Sequence, residues 1–124
     1  MSSYIRIIHA HDFIKATPEG LLDLEKSKEV LMEIASASVS MGDYEIILDT
    51  RKAQIEMSTS NLWYLAAELS KLGKAFERKI AVLCPLEGFD RAGFFALCAE
   101  NRGYQVKAFT SLETAMEWLF ANET

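Results

Sequence analysis

The chain has 124 residues, half of them hydrophobic and a quarter charged, which fits one globular domain and excludes a two-domain or disordered protein. A total of 13 Lys and Arg against 18 Asp and Glu leaves a net charge of −5, without the electrostatic footprint of a nucleic-acid binder and unfavourable at an anionic membrane surface. No apolar run approaches the ~20 residues that cross a bilayer.

The chain opens with Tyr4-Ile5-Arg6-Ile7-Ile8, a β-rich run without the basic-then-apolar order of a signal peptide, so a cytoplasmic protein is expected. His9-Ala10-His11-Asp12 interrupts it and Phe13-Ile14-Lys15-Ala16 follows, the pattern of a hairpin around a polar turn. Thr17-Pro18-Glu19-Gly20 carries strand-stop residues. Asp23 is placed to cap a long helix in which Leu24, Ser27, Leu31, Ile34, Ala35 and Ser38 recur at helical spacing. Gly42 reads as its stop signal.

Tyr44-Glu45-Ile46-Ile47-Leu48-Asp49 predicts a strand buried on both faces, followed by a loop to Met57-Ser58-Thr59-Ser60, a cluster of N-cap residues. From there Leu62, Leu65, Ala66, Leu69, Leu72 and Phe76 form one helical stripe, with Lys71, Lys74 and Arg78 toward its C-terminal end. Lys79 to Cys84 predicts an apolar strand ended by Pro85, Phe89 to Arg102 a helix stopped by Gly103, and Tyr104 to Phe109 a strand. Thr110 and Glu113 have capping-box spacing before a last helix with Leu112, Ala115, Met116 and Leu119 on its apolar face. Strands alternating with helices imply parallel pairing. The expected fold is a single α/β domain over residues 1–124, with a single-layer, mixed and mostly parallel sheet of about five strands and about four helices.

Several of these segments resemble the STAS superfamily. Gly20-Leu21-Leu22-Asp23, between a strand and a helix, is similar to the glycine-x-Leu-Asp turn of STAS domains. Ile46-Ile47-Leu48-Asp49, a loop, and Met57-Ser58-Thr59-Ser60-Asn61-Leu62 are similar to that family's strand, aspartate, loop and Ser-rich helix start. Lys79 to Leu83, Val106 to Phe109 and Glu113 to Leu119 resemble its SpoIIAA-like branch. The resemblance implies a SpoIIAA-like fold and a non-enzymatic regulatory or protein-interaction role like that of anti-sigma-factor antagonists. Those antagonists carry Asp-Ser-Ser-Gly-Leu at this helix start, and a partner kinase phosphorylates the first serine, matched here by Ser58. This chain departs from that pattern at Met57, which replaces the aspartate, and at Ser60-Asn61, which replace the glycine and leucine. The SpoIIAA-like branch is also compared with lipid-binding domains of similar layout, so a carrier of a small apolar ligand or lipid is the alternative.

Five groups of residues are candidates for function. Ser58 and Ser60 are expected to cap the helix start, where phosphate would also be tolerated. Asp49, Thr50 and Arg51 follow a strand C-terminus, where open parallel sheets bind ligands. Asp49 is there to orient a ligand or cap its own loop amides, and Arg51 to hold a carboxylate or phosphate. His9 and His11 have the spacing of two ligands on one strand face, but a metal site needs a third from elsewhere that the sequence does not offer, so no metal is expected. Cys84 and Cys98 are too few for a disulfide framework and are expected as buried thiols, and Cys84 has no local base to activate it. Trp63, Tyr64, Phe94, Phe95 and Trp118 form an aromatic surplus that suggests a protein interface or an apolar cavity, with Trp63 and Tyr64 expected to mediate a homodimer. Phe94 and Phe95 point about 100° apart on their helix, so one is expected in the core and one at its rim. There is no Gly-x-Gly-x-x-Gly, P-loop or Cys-x-x-Cys motif and no catalytic constellation, so neither a cofactor nor an enzymatic reaction is expected.

Overall fold

In the computed structural model, residues 5–9, 13–41 and 44–121 are described. The first strands, β1 (Ile5–His9) and β2 (Phe13–Pro18), pair antiparallel from Ile5 opposite Pro18 to His9 opposite Ile14. Helix α1 (Leu24–Met41) then returns the chain to β4 (Glu45–Asp49), which runs parallel to β2. Helix α2 (Thr59–Glu68) leads to β6 (Ile80–Leu83), α3 (Phe89–Glu100) to β7 (Val106–Phe109), and α4 (Leu112–Leu119) closes the chain. The sheet order is β1-β2-β4-β6-β7, with every pair after the hairpin parallel. The mixed, mostly parallel sheet with four helices is the architecture expected from the strand–helix alternation.

Side-chain alternation along the strands divides the interior in two. Ile46 and Leu48 on β4, Ile80 and Val82 on β6 and Val106 on β7 face a core built with α1, α2 and α3, whereas Ile47 and Ala81 face Ala115 and Leu119 of α4. Lys79 is buried beneath α4, where its Nζ donates to the Trp118 carbonyl at 2.9 Å and lies 5.2 Å from the Trp118 ring centroid. A cation at a helix C-terminus complements the dipole. Trp118, half-buried against Phe109, is therefore part of this layer's packing.

Four local features depart from the sequence reading. The stretch read as a loop after Asp49 contains β5 (Ala53–Ile55), which pairs parallel with β3 (Gly20–Leu22) in a separate two-stranded sheet. Gly20 enters it at φ 90°, a conformation that favours glycine. The stripe from Leu62 to Phe76 is not one helix: α2 ends at Glu68, and 3-10 turns follow at Leu69–Lys71 and Gly73–Phe76. Gly73 at φ 77° breaks the run between them, yet Leu69 and Phe76 remain fully buried because the tighter turns still aim them at the core. The α3 helix ends at Glu100, slightly before the predicted Arg102, and Gly103 supports the turn at φ 96°. The cap of α4 is Ser111, whose hydroxyl accepts from Thr114 N, in place of the Thr110–Glu113 box. Asp23 caps the first turn of α1 as expected, accepting from Lys26 N at 2.8 Å. Gly42 lies outside the described residues.

Candidate functional site

Asp49, Thr50 and Arg51 lie at the C-terminal edge of the sheet but do not form one cluster. Strand alternation turns Asp49 to the same face as Ile47 and turns Thr50 to the three-helix face. Asp49 is 4 % exposed. Its carboxylate accepts two bonds from the Arg51 guanidinium, both at 3.0 Å, and one from the Arg51 amide at 3.1 Å, and Lys15 Nζ stands 3.6 Å away. Burial alone would push this carboxyl up. The side-chain and backbone hydrogen bonds from Arg51, with the charges of Arg51 and Lys15, more than reverse that and hold it below the usual value of 3.8. Arg51 is held above its own ordinary value by the same hydrogen bonds. Asp49 thus caps its loop as the sequence suggests, and Arg51 is already engaged. Thr50 is buried, with Oγ1 donating to the Leu83 carbonyl at 3.0 Å.

The α2 start is set by reciprocal bonds. Ser58 Oγ accepts from Asn61 N at 3.1 Å, and Ser58 N donates to Asn61 Oδ1 at 3.3 Å, a capping box with Asn in the place of Glu or Gln. Met57, just before the cap, and Leu62, at the fourth helical position, are both buried in the same core, the arrangement of a hydrophobic staple. The departures noted at Met57 and Asn61 therefore have structural work: one anchors the entry of the helix and the other completes its cap.

Ser60 belongs to a different feature. With Thr59, Trp63, Tyr64 and Phe94 it lines a shallow groove of about 310 Å³ between α2 and α3. Trp63 and Tyr64 are 48 % and 56 % exposed. Their rings pack edge to face at 5.2 Å, and Arg102 lies over the Trp63 ring with Cζ 4.8 Å from its centroid. Phe95 is core and Phe94 half-buried, as their angular separation requires.

The remaining candidates are structural or outside view. Cys84 and Cys98 are buried and unpaired by disulfide. Burial pushes the Cys84 thiol up, and its Sγ donates to the Phe109 carbonyl at 3.4 Å, so it holds no thiolate near neutrality. His9 ends β1, while Ala10, His11 and Asp12 lie outside the described residues. Among the described residues no three His, Cys, Asp or Glu side chains are grouped to hold a metal, and no helix is long and apolar enough to cross a membrane.

No protein-family model matches the chain, and no curated protein matches its sequence. Solved structures do match. An uncharacterised DUF3478-family protein with a SpoIIAA-like fold from Shewanella loihica PV-4 superposes with a TM-score of 0.59 at 21 % identity, over 94 % of this chain and 93 % of that one. The fold of this chain is SpoIIAA-like. An anti-sigma factor antagonist from Mycobacterium paratuberculosis shares it with a TM-score of 0.64 at 16 % identity, over 95 % and 94 % of the two chains. The anti-sigma factor antagonist SpoIIAA in its unphosphorylated form does so with a TM-score of 0.57 at 13 % identity, over 96 % and 100 %.

Within this SpoIIAA-like frame, Ser58 is expected to act as a cap. Ser58→Ala should lower stability by about 1 kcal/mol, and Ser58→Asp should be neutral because aspartate caps as well as serine does. Thermal unfolding of the two variants checks this, and equal losses from both would rule out the capping role. Two groups escaped the sequence reading. Lys15 sits within an apolar run and meets Asp49 only through strand register, which residue spacing does not show. Arg102, in the turn after α3, meets Trp63 of α2, with no local signal at either position.

Proposed function

We propose that this SpoIIAA-like domain is a non-enzymatic regulatory module that acts by binding a protein partner through the outer face of α2 and α3. The observation that carries the reading is the exposed Trp63–Tyr64 pair, with Arg102 over the Trp63 ring and Phe94 beside it in the groove. Trp, Tyr and Arg are the residue types that anchor protein interfaces most often. Packing each other edge to face limits the side-chain freedom these rings lose on binding. The fold is shared with proteins that are anti-sigma factor antagonists, which supports a protein as the partner class. The absence of chemistry in this reading rests on two groups. Asp49 is saturated by Arg51 and Lys15, and Cys84 is held as a thiol; neither is poised as base or nucleophile.

The test is quantitative capture from extract of the native cell with the wild-type domain and the Trp63→Ala, Tyr64→Ala double variant as parallel baits. The proposal expects a protein retained at least tenfold more by the wild type, a loss typical of removing two anchors. Identical sets on both baits would refute it. The same face can pair with a second copy across a two-fold axis. Light scattering should then show a wild-type dimer and a monomeric double variant, and a wild type that stays monomeric at high concentration sets the homodimer aside.

A further inference from the structure

A depression of about 200 Å³ is lined from β5 by Ala53 and Ile55 and from the segment after β6 by Pro85, Glu87, Gly88 and Arg91. Its lining follows β4 and β6 in the chain, on the side of the sheet where open parallel sheets bind ligands. It shares no lining residue with the Trp63–Tyr64 groove, so it is independent of the protein partner proposed there. The volume is below the ~300–1,000 Å³ of a site for a drug-sized molecule, which restricts the occupant to a smaller one.

The β5 strand brings an open main-chain edge to this space. Gly20 N donates to Lys52 O at 3.4 Å and Glu56 N to Leu22 O at 2.8 Å. Strand alternation therefore turns the main-chain groups of Lys52, Gln54 and Glu56 toward β3 and those of Ala53 and Ile55 away from it. Ala53 N is taken by the Thr50 carbonyl at 3.1 Å. The Ala53 carbonyl and the Ile55 N–H have no partner among the described residues. In a parallel ladder one residue donates its N–H to a carbonyl and accepts, at its own C=O, from the N–H two positions further along. The Ala53 carbonyl and the Ile55 N–H are such a pair, so this edge is spaced for the amino and carboxyl groups of a single residue.

Charge narrows the occupant. Glu87 and Arg91 both line the depression and stand four residues apart. They pair neither with each other nor with any other described residue. An internal residue of a peptide brings no main-chain charge to either. A free α-amino acid brings an ammonium and a carboxylate on one carbon, and charge-assisted bonds are about twice as strong as neutral ones.

We propose that this depression binds a free α-amino acid with a small apolar side chain. The ammonium donates to the Ala53 carbonyl and to Glu87, and the carboxylate accepts from the Ile55 N–H and from Arg91. The side chain rests on Ala53, Ile55 and Pro85, so that a few polar groups orient the ligand within an apolar lining.

The test is an amide-shift titration of the full chain with L-valine, valinamide, N-acetylvaline and N-acetylvaline N-methylamide. Valinamide lacks the carboxylate, N-acetylvaline lacks the ammonium, and the last probe lacks both. Valine should give saturable shifts at Ile55 and Gly88 and slow the exchange of the Ile55 amide hydrogen. Each singly blocked probe should bind about tenfold more weakly than valine, since one hydrogen bond to a charged group is lost. Arg91→Met should weaken valine about tenfold and leave valinamide unchanged, and Glu87→Gln should weaken valine about tenfold and leave N-acetylvaline unchanged. Both variants should fold, because both side chains are exposed; unchanged spectra away from the depression verify it. Absence of saturable shifts with valine overturns the proposal. So does a singly blocked probe that binds as tightly as valine, or either variant that binds valine like the wild type. Equal binding of the doubly blocked probe overturns it in favour of a peptide strand added to β5.

Discussion

Phe76→Ala should lower the unfolding free energy by about 3–5 kcal/mol, the range for deleting a large buried aromatic. Phe76 is fully buried and heads the fully buried side chains by volume, although it stands in a 3-10 turn and not in a helix. It belongs to the same core as Ile34, Ile46, Ile80 and Val106, so its loss leaves a void between α1 and the sheet that close-packed neighbours fill only in part. Against a typical total of about 5–15 kcal/mol, the variant should be marginal. Urea unfolding measures the change. A loss below about 0.5 kcal/mol, the scale of an ordinary surface substitution, would mean that the segment after α2 is not part of the core.

Asp49→Asn should cost about 2 kcal/mol at neutral pH. Breaking a buried ion pair commonly costs more, about 3–5 kcal/mol, but Lys15 and Arg51 are partly exposed and can rehydrate when the charge is removed. The amide keeps one acceptor and turns a donor toward the guanidinium. The sign of the pH dependence follows from the depressed carboxyl. A group whose native pKa lies below its unfolded value stabilises fully above the unfolded value and loses that contribution as pH falls through the native one. The gap between wild type and variant should therefore be constant at neutral pH, shrink as pH drops below 3.8 and vanish below the lower native value. Chemical unfolding of both proteins across that range checks the prediction. A gap that widens on acidification would contradict the ion-pair account.

Much of the architecture is legible because it rests on periodic apolar runs. The Glu45–Asp49 and Ile80–Leu83 strands are apolar on both faces, and each is followed by a helical stripe, which is sufficient to infer parallel crossovers. The capping role of Ser58 is legible for a similar local reason. The β3 and β5 strands are not legible, since three residues are too few to show a period and Gly20-Leu21-Leu22 reads equally as a turn. The break after Glu68 is hidden because the apolar spacing continues through it; Leu69, Leu72 and Phe76 keep near-helical intervals while the backbone tightens. Candidate sites are less legible than strands. Asp49 and Thr50 are adjacent in sequence and face opposite sides of the sheet, and the Lys15–Asp49 and Arg102–Trp63 contacts depend on tertiary register. Ser27 reads as part of an apolar stripe, and only the packing of α1 against the other helices reveals that its hydroxyl lacks a partner.

The most direct measurement of the central claim, that the outer face of α2 and α3 receives a protein partner, is photo-crosslinking in the native cell from a reactive side chain placed at Tyr64, with Glu117 on α4 as the control. Both positions are exposed, and they lie on helices packed on opposite faces of the sheet. The account predicts a discrete protein adduct from position 64 that disappears when Trp63 is also replaced by Ala, and none from position 117. An adduct from position 117 with nothing from position 64, or equal adducts from both, would contradict it.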